Sequence, residues 1–233
     1  MTLIVAHRGR HDQLRENTLA AFAAAREAGA DAVELDVRRS ADGVLVVHHD
    51  PVRDGRPIAA TPRAELPGDV AELPDALRAA APLPVNVEVK NLQEPDGAYD
   101  PSGEFARAVV AAVEGTPGRG PVFYSSFDLA TCRDLARASA DPVGWLLDVG
   151  ELDATALERA ADAGLAAVHP YVADVTAELV AAAHDRGLAV HVWTVNRAGD
   201  LERMFALGVD SVITDDVPSA RVLRPDEGSA RLA

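Results

Sequence analysis

Val85-Asn86-Val87-Glu88-Val89-Lys90 is the stretch from which the rest of this chain is read. Side chains alternate along a β-strand, so the three valines share one face and Asn86, Glu88 and Lys90 share the other. Three polar groups in a row on so apolar a strand are costly unless something binds them. Lys90 is also the only lysine among the 22 Lys and Arg residues. One reading of the stretch is structural, with Lys90 in an ion pair with Glu88. The other is chemical, with a carboxylate and a compact ammonium presented together at a strand end.

Working outward, strands alternate with helical patterns along the whole chain. Short apolar strands are predicted at 3–6, 32–37, 85–90, 122–126, 143–147, 166–168, 189–193 and 211–213. Between them lie helical stretches, such as Asn17–Ala28, with a stripe at Leu19, Phe22 and Ala23 and a stop at Gly29. Eight β/α units in a chain of 233 residues predict an α/β fold, a closed (β/α)8 TIM barrel near the short end of its size range. An open doubly wound sheet is the alternative, and no glycine-rich phosphate fingerprint after the first strand favours it. A further strand at 44–47 follows the Asp42-Gly43 turn and is expected to pair with the second strand. A short insertion of about 51–72, rich in proline, glycine and arginine, then interrupts the barrel. A single barrel over 1–224 with a polar tail at 225–233 is the expected organisation.

Bulk properties narrow the function. A hydrophobic content of 48% supports a sizeable core, and no apolar run reaches the roughly 18 residues of a membrane span. The segment from Leu3 to Arg8 has the wrong flanks for a signal peptide, which predicts a cytoplasmic protein without stable membrane insertion. Cys132 is the only cysteine, so intrachain disulfides and thiolate metal clusters are excluded, and its helical setting predicts a small packing residue. The net charge of −15 argues against nucleic-acid binding. An anionic substrate would need a local positive source to invert that field. Oligomeric state is left open.

In an eight-stranded barrel the active site lies at the C-terminal strand ends. Reading those ends in turn gives His7 and Arg8, Glu34 and Asp36, Glu88 and Lys90, Ser125 and Ser126, His169 and Tyr171, Trp193, and Thr214 and Asp215. His49 ends the extra strand. Glu34, Asp36 and Glu88 on neighbouring strands repel one another unless a cation sits between them. An all-oxygen donor set suits one hard divalent cation, Mg2+ or Ca2+, rather than zinc.

The order of motifs resembles the glycerophosphodiester phosphodiesterase family. The match rests on Ala6-His7-Arg8-Gly9, Glu16-Asn17-Thr18, Ala20-Ala21-Phe22, Glu34-Leu35-Asp36-Val37, Asp42-Gly43 and His49-Asp50-Pro51. It continues through Glu88-Val89-Lys90, Trp193-Thr194-Val195-Asn196 and Gly208-Val209-Asp210. The resemblance implies His7 and His49 as the catalytic acid–base pair and Glu34, Asp36 and Glu88 as metal ligands. It implies that Arg8 and Lys90 hold the phosphate, with Trp193, Glu16 and Asn17 on the substrate side. The substrate implied is a small anionic phosphodiester, whose own glycerol 2-hydroxyl attacks to form a cyclic phosphate that water then opens. Two departures stand out: Arg15 replaces the family's proline, and the insertion lacks the usual Arg-Thr-Thr run after Pro51. Both fall near the alcohol side of the substrate.

The residues suit this chemistry on their own terms. Phosphodiester cleavage needs charge neutralisation at the phosphoryl oxygens, a base for the nucleophile and an acid for the leaving alkoxide. Two histidines fill the acid–base roles near neutral pH. Strand alternation turns His48 away from His49, while His11, His184 and His191 have weaker claims. A lysophospholipase D-like enzyme would need an acyl-binding surface, which 4% aromatic residues do not suggest. A non-catalytic barrel that binds phosphorylated metabolites would be expected to lack a histidine or a ligand carboxylate, and all are present.

Overall fold

The computed structural model describes residues 1–225. Its organising pair is β2 (Ala32–Arg39) and β6 (Val85–Val89), which run parallel with Glu34 beside Asn86 and Asp36 beside Glu88. Val33, Leu35, Val37, Val85, Val87 and Val89 join one large apolar cluster with residues of the surrounding helices. The polar residues of the same strands therefore face the barrel interior.

The other barrel strands are β1 (Leu3–Ala6), β7 (Val122–Ser126), β8 (Val143–Leu147), β9 (Ala167–Pro170), β10 (Ala189–Val192) and β11 (Ser211–Thr214). They run parallel in chain order, and β1 pairs with both β11 and β2, which closes an eight-stranded barrel. Helices α1 (Leu19–Glu27), α2 (Leu73–Ala80), α3 (Glu104–Glu114), α4 (Leu129–Ala138), α5 (Ala154–Asp162), α6 (Ala177–His184), α7 (Ala198–Leu207) and α8 (Val217–Leu223) follow the strands. The fold is the (β/α)8 barrel that the strand–helix rhythm predicts.

The first loop shows how local chemistry sets the site. Gly9 adopts φ 81°, and a Cβ there would meet the backbone of Ala21 at 2.7 Å. Glycine alone lets the chain turn this tightly over α1. The helix begins later than the sequence pattern suggests because Asn17 takes φ 56° and Thr18 caps the end, its hydroxyl oxygen accepting from the Ala21 amide at 3.3 Å. Asn17 is thereby freed to point inward.

The extra strand β3 (Leu45–Val47) pairs antiparallel with the end of β2, as expected. The insertion is more ordered than its composition suggests. It forms a small hairpin, β4 (Val52–Arg53) with β5 (Arg56–Pro57), and two short 3-10 turns. Ile58, Leu66 and Val70 bury themselves with Val46 in a separate small cluster. Arg15, the residue that departs from the family pattern, reaches Asp69 at 2.9 Å, and Arg53 reaches the same carboxylate at 3.2 Å. Residues 226–233, which hold most of the expected polar tail, lie outside the described residues.

Candidate active site

Register brings three carboxylates together. One oxygen each from Glu34, Asp36 and Glu88 lies within 4.8 Å of the others, and all three residues are buried. Two cations share them. Lys90 Nζ stands 3.0 Å from Asp36 Oδ1 and 2.6 Å from Glu88 Oε1, and Arg8 Nε stands 3.4 Å from Asp36 Oδ2. Asn17 donates to Asp36 Oδ2 at 2.7 Å. Burial would push the Asp36 carboxyl up, but Lys90 and then Arg8 outweigh it and hold it well below the usual range. Glu34 goes the other way: burial first, then Asp36 and Glu88, push its carboxyl well above the usual value.

Glu34 is thus the carboxylate left short of positive charge. Its Oε2 accepts from the Arg8 backbone amide at 2.9 Å, while its buried Oε1 has no partner among the described residues. Three acids against two bases, with an orphaned oxygen among them, fit one further cation. The donor set is all oxygen, which suits a hard divalent ion. Glu34, Asp36 and Glu88 are the residues that could hold it.

Two imidazoles flank this cluster. His7, just past β1, and His49, past β3, line one cavity with Arg8, Glu34, Glu88 and Lys90. His7 Nδ1 lies 2.7 Å from Asp215 Oδ1, and the carboxylate accepts, so the Nε2 side is left toward the cavity. His49 Nδ1 lies 2.8 Å from Asp50 Oδ1. Burial, then the nearby Lys90 ammonium, lower the His49 pKa below its ordinary value, so the ring is neutral near pH 7. His48 does not line this cavity and instead meets the Asp50 carbonyl at 2.9 Å. The separation comes from a bend, since β3 stops at Val47 and the His48 amide donates to Asp36 O at 2.9 Å.

Of the substrate-side residues, Trp193 lines the cavity and its indole N–H donates to His169 O at 2.7 Å. Glu16 receives Arg8 Nη1 at 3.0 Å, and Asn17 braces Asp36. His169 does not belong here. It is fully buried deeper in the barrel, because its Nε2 occupies the space that a side chain on Gly144 would take. Ser125 is likewise sealed away.

The structure gives several residues parts that the sequence leaves unassigned. Asp215 serves two histidines at once, with His11 Nε2 3.1 Å from the oxygen that His7 uses and Asn196 donating to its Oδ2 at 2.6 Å. Burial would raise the Asp215 carboxyl, but hydrogen bonds from His11 and His7 hold it well below the usual range. Arg38 donates through Nε to the His49 carbonyl at 2.8 Å and through Nη1 to Glu94 at 2.7 Å, which fixes the bend carrying His49. Phe127 forms the apolar wall, edge-on to Trp193 at 5.4 Å, with the Lys90 ammonium 5.8 Å from its ring centre.

A parallel barrel with acids, bases and imidazoles converging at the C-terminal strand ends defines a hydrolase-type site for an anionic ester. The chain belongs to the glycerophosphoryl diester phosphodiesterase family, whose model matches residues 7–219, and it is an enzyme of that class. A glycerophosphodiester phosphodiesterase of Caldanaerobacter subterraneus subsp. tengcongensis is 30% identical over 92% of this chain and 94% of its own. A solved structure of a glycerophosphodiester phosphodiesterase from Parabacteroides distasonis is 26% identical, with TM-score 0.82 over 95% of this chain and 96% of that one. Another, from Thermotoga maritima, is 27% identical, with TM-score 0.78 over 96% and 99%.

Proposed function

We propose that this site hydrolyses small glycerophosphodiesters to glycerol 3-phosphate and an alcohol, with one divalent cation held by Glu34, Asp36 and Glu88. The observation that carries the metal is the orphaned, buried Glu34 carboxylate between two others. When bound, Mg2+ or Ca2+ would supply Lewis-acid charge at the phosphoryl oxygens. Lys90 and Arg8 add fixed positive charge on the same side, in a protein whose overall charge is −15.

His7 and His49 are the acid–base pair. In the first step one imidazole takes the proton of the substrate's glycerol 2-hydroxyl and the other protonates the departing alkoxide. Ring opening of the cyclic phosphate by water reverses the two roles. Asp215 holds His7 in the tautomer that leaves Nε2 reactive, and Arg38 holds the His49 backbone. The cavity, about 80 Å3, favours a phosphoryl group with a short polyol over an acyl chain, which speaks against the lysophospholipase D-like reading. Retention of both histidines and all three carboxylates speaks against a silent binding barrel.

The test is release of glycerol 3-phosphate from a panel of glycerophosphodiesters, before and after chelation and with each metal restored. Turnover that survives exhaustive chelation would remove the metal from the mechanism. An analogue lacking the 2-hydroxyl should bind but not react; cleavage at an unchanged rate would make water the first nucleophile.

A further inference from the structure

The barrel has a second cavity, at the N-terminal strand ends and so opposite the active-site mouth. Its volume is about 520 Å3, more than that of the active-site cavity. Barrel interiors are ordinarily filled by layers of bulky branched side chains. Here the inward positions near this end are small: Ala32 on β2, Gly144 on β8, Ala167 on β9, Ala189 on β10 and Ser211 on β11. The space follows directly from those residues.

What lines the inner end is not simply apolar. The rings of His169 and His191 meet edge to face at 4.8 Å, and Phe123 lies 5.8 Å from His191 and 6.5 Å from His169. His191 is bound through Nδ1 to Ser211 Oγ at 2.7 Å, which leaves Nε2 unused. His169 is wholly buried, and neither of its ring nitrogens has a partner among the described residues. Burial lowers both imidazoles, His191 to about 4, so both are neutral at pH 7 and each offers one donor and one acceptor. Among the described residues, Asp141 is the only charged side chain on the wall.

We propose that this cavity is a second ligand site, for a small neutral aromatic molecule bearing a hydroxyl, that is, a phenol. Three aromatic rings supply a surface suited to a fourth. A hydroxyl both donates and accepts, so it can pair with the unused Nε2 of His191 whichever tautomer that ring adopts. The largely apolar wall, with the Asp141 carboxylate on it, disfavours an anion, and the volume lies in the range of small-molecule pockets.

Phenol itself is the probe, with benzene and benzoate as comparisons, and binding is followed by the imidazole 15N resonances of the full chain and by thermal shift. Millimolar phenol should move the His191 and His169 signals and raise the melting temperature, and benzoate should do neither. Ala167→Leu fills the space and should weaken phenol at least tenfold while leaving phosphodiester turnover unchanged. Ala189→Val is the second filling variant should the first fail to fold. His191→Phe should keep benzene binding and lose the preference for phenol. Imidazole signals indifferent to phenol, phenol binding unaffected by either filling variant, or equal binding of benzoate would each overturn the proposal.

Discussion

His7 and His49 come from different loops, yet each is held by a carboxylate at under 3 Å, Asp215 for one and Asp50 for the other. Acid and base must act in one transition state, so removing either should cost nearly as much as removing both. His7→Ala, His49→Ala and the double variant should each lose about 10²-fold or more in turnover, and His48→Ala should stay near wild type. Steady-state rates on one glycerophosphodiester decide this, and an inactive His48→Ala with an active His49→Ala would reverse the assignment. Glu34 carries a second prediction. Its folded pKa is raised above the ordinary 4.5, so the folded protein holds a proton that the unfolded chain has lost. The Glu34 contribution to metal-free stability should therefore fall as pH rises from 4.5 through the folded value, against the opposite slope that buried His191 contributes. Glu34→Gln should abolish the Glu34 contribution and abolish stabilisation by added Mg2+ or Ca2+. Melting temperatures against pH, with chelator and with metal, test both halves; a variant still stabilised by metal would remove Glu34 from the ligand set.

At the scale of elements, the segment between β7 and α4 links folding to the site. Phe127 faces the cavity, and its carbonyl accepts the Trp145 indole N–H at 3.0 Å. The next residue, Asp128, caps α4, its carboxylate accepting from the Thr131 amide at 2.9 Å and from the Thr131 hydroxyl at 2.7 Å. Asp128→Ala should cost about 1 kcal/mol in urea unfolding, the usual worth of an N-cap, with turnover changed little. A large kinetic loss at unchanged stability would mean that the cap positions Phe127 for catalysis. The insertion shows where composition misleads. Its prolines and arginines look like a loose excursion, yet Asp69 collects Arg15 and Arg53, and Ile58, Leu66 and Val70 build a small core. Pro57, Pro62 and Pro67 break any continuous helix or strand through those apolar residues, so the order becomes visible only once β3 supplies Val46 to pack against.

For the whole molecule, the two ends of the barrel lumen have opposite character. Acids and cations crowd the C-terminal end, and neutral imidazoles line the N-terminal cavity. The second feature predicts acid lability. His191 is held to about 4 by burial against an ordinary 6.5, so the unfolded chain binds the proton that the folded one refuses. Its contribution is complete above pH 6.5 and is lost as pH falls toward about 4, amounting to roughly 3 kcal/mol. Urea unfolding at pH 7 and pH 4.5 should show a smaller pH difference in His191→Phe than in wild type. Equal differences would mean that the ring takes up its proton without unfolding.

The architecture was legible because hydrophobic burial writes itself into spacing. Val85, Val87 and Val89 alternate with polar residues, and seven further strands alternate with helices, so a parallel barrel follows from periodicity and length. Glu34, Asp36, Glu88 and Lys90 were legible for the same reason, since neighbouring parallel strands must bring like positions together. What the tertiary structure alone decided are contacts made by loops and lumen. Asp215 meets His11 across 204 positions, and His49 reaches the site through a bend that Arg38 holds. His169, near a strand end like the proposed catalytic residues, packs deeper in the lumen, where Gly144 leaves room for its ring. Loop closure and the filling of a shared interior depend on every strand at once, and no local pattern in the chain encodes either.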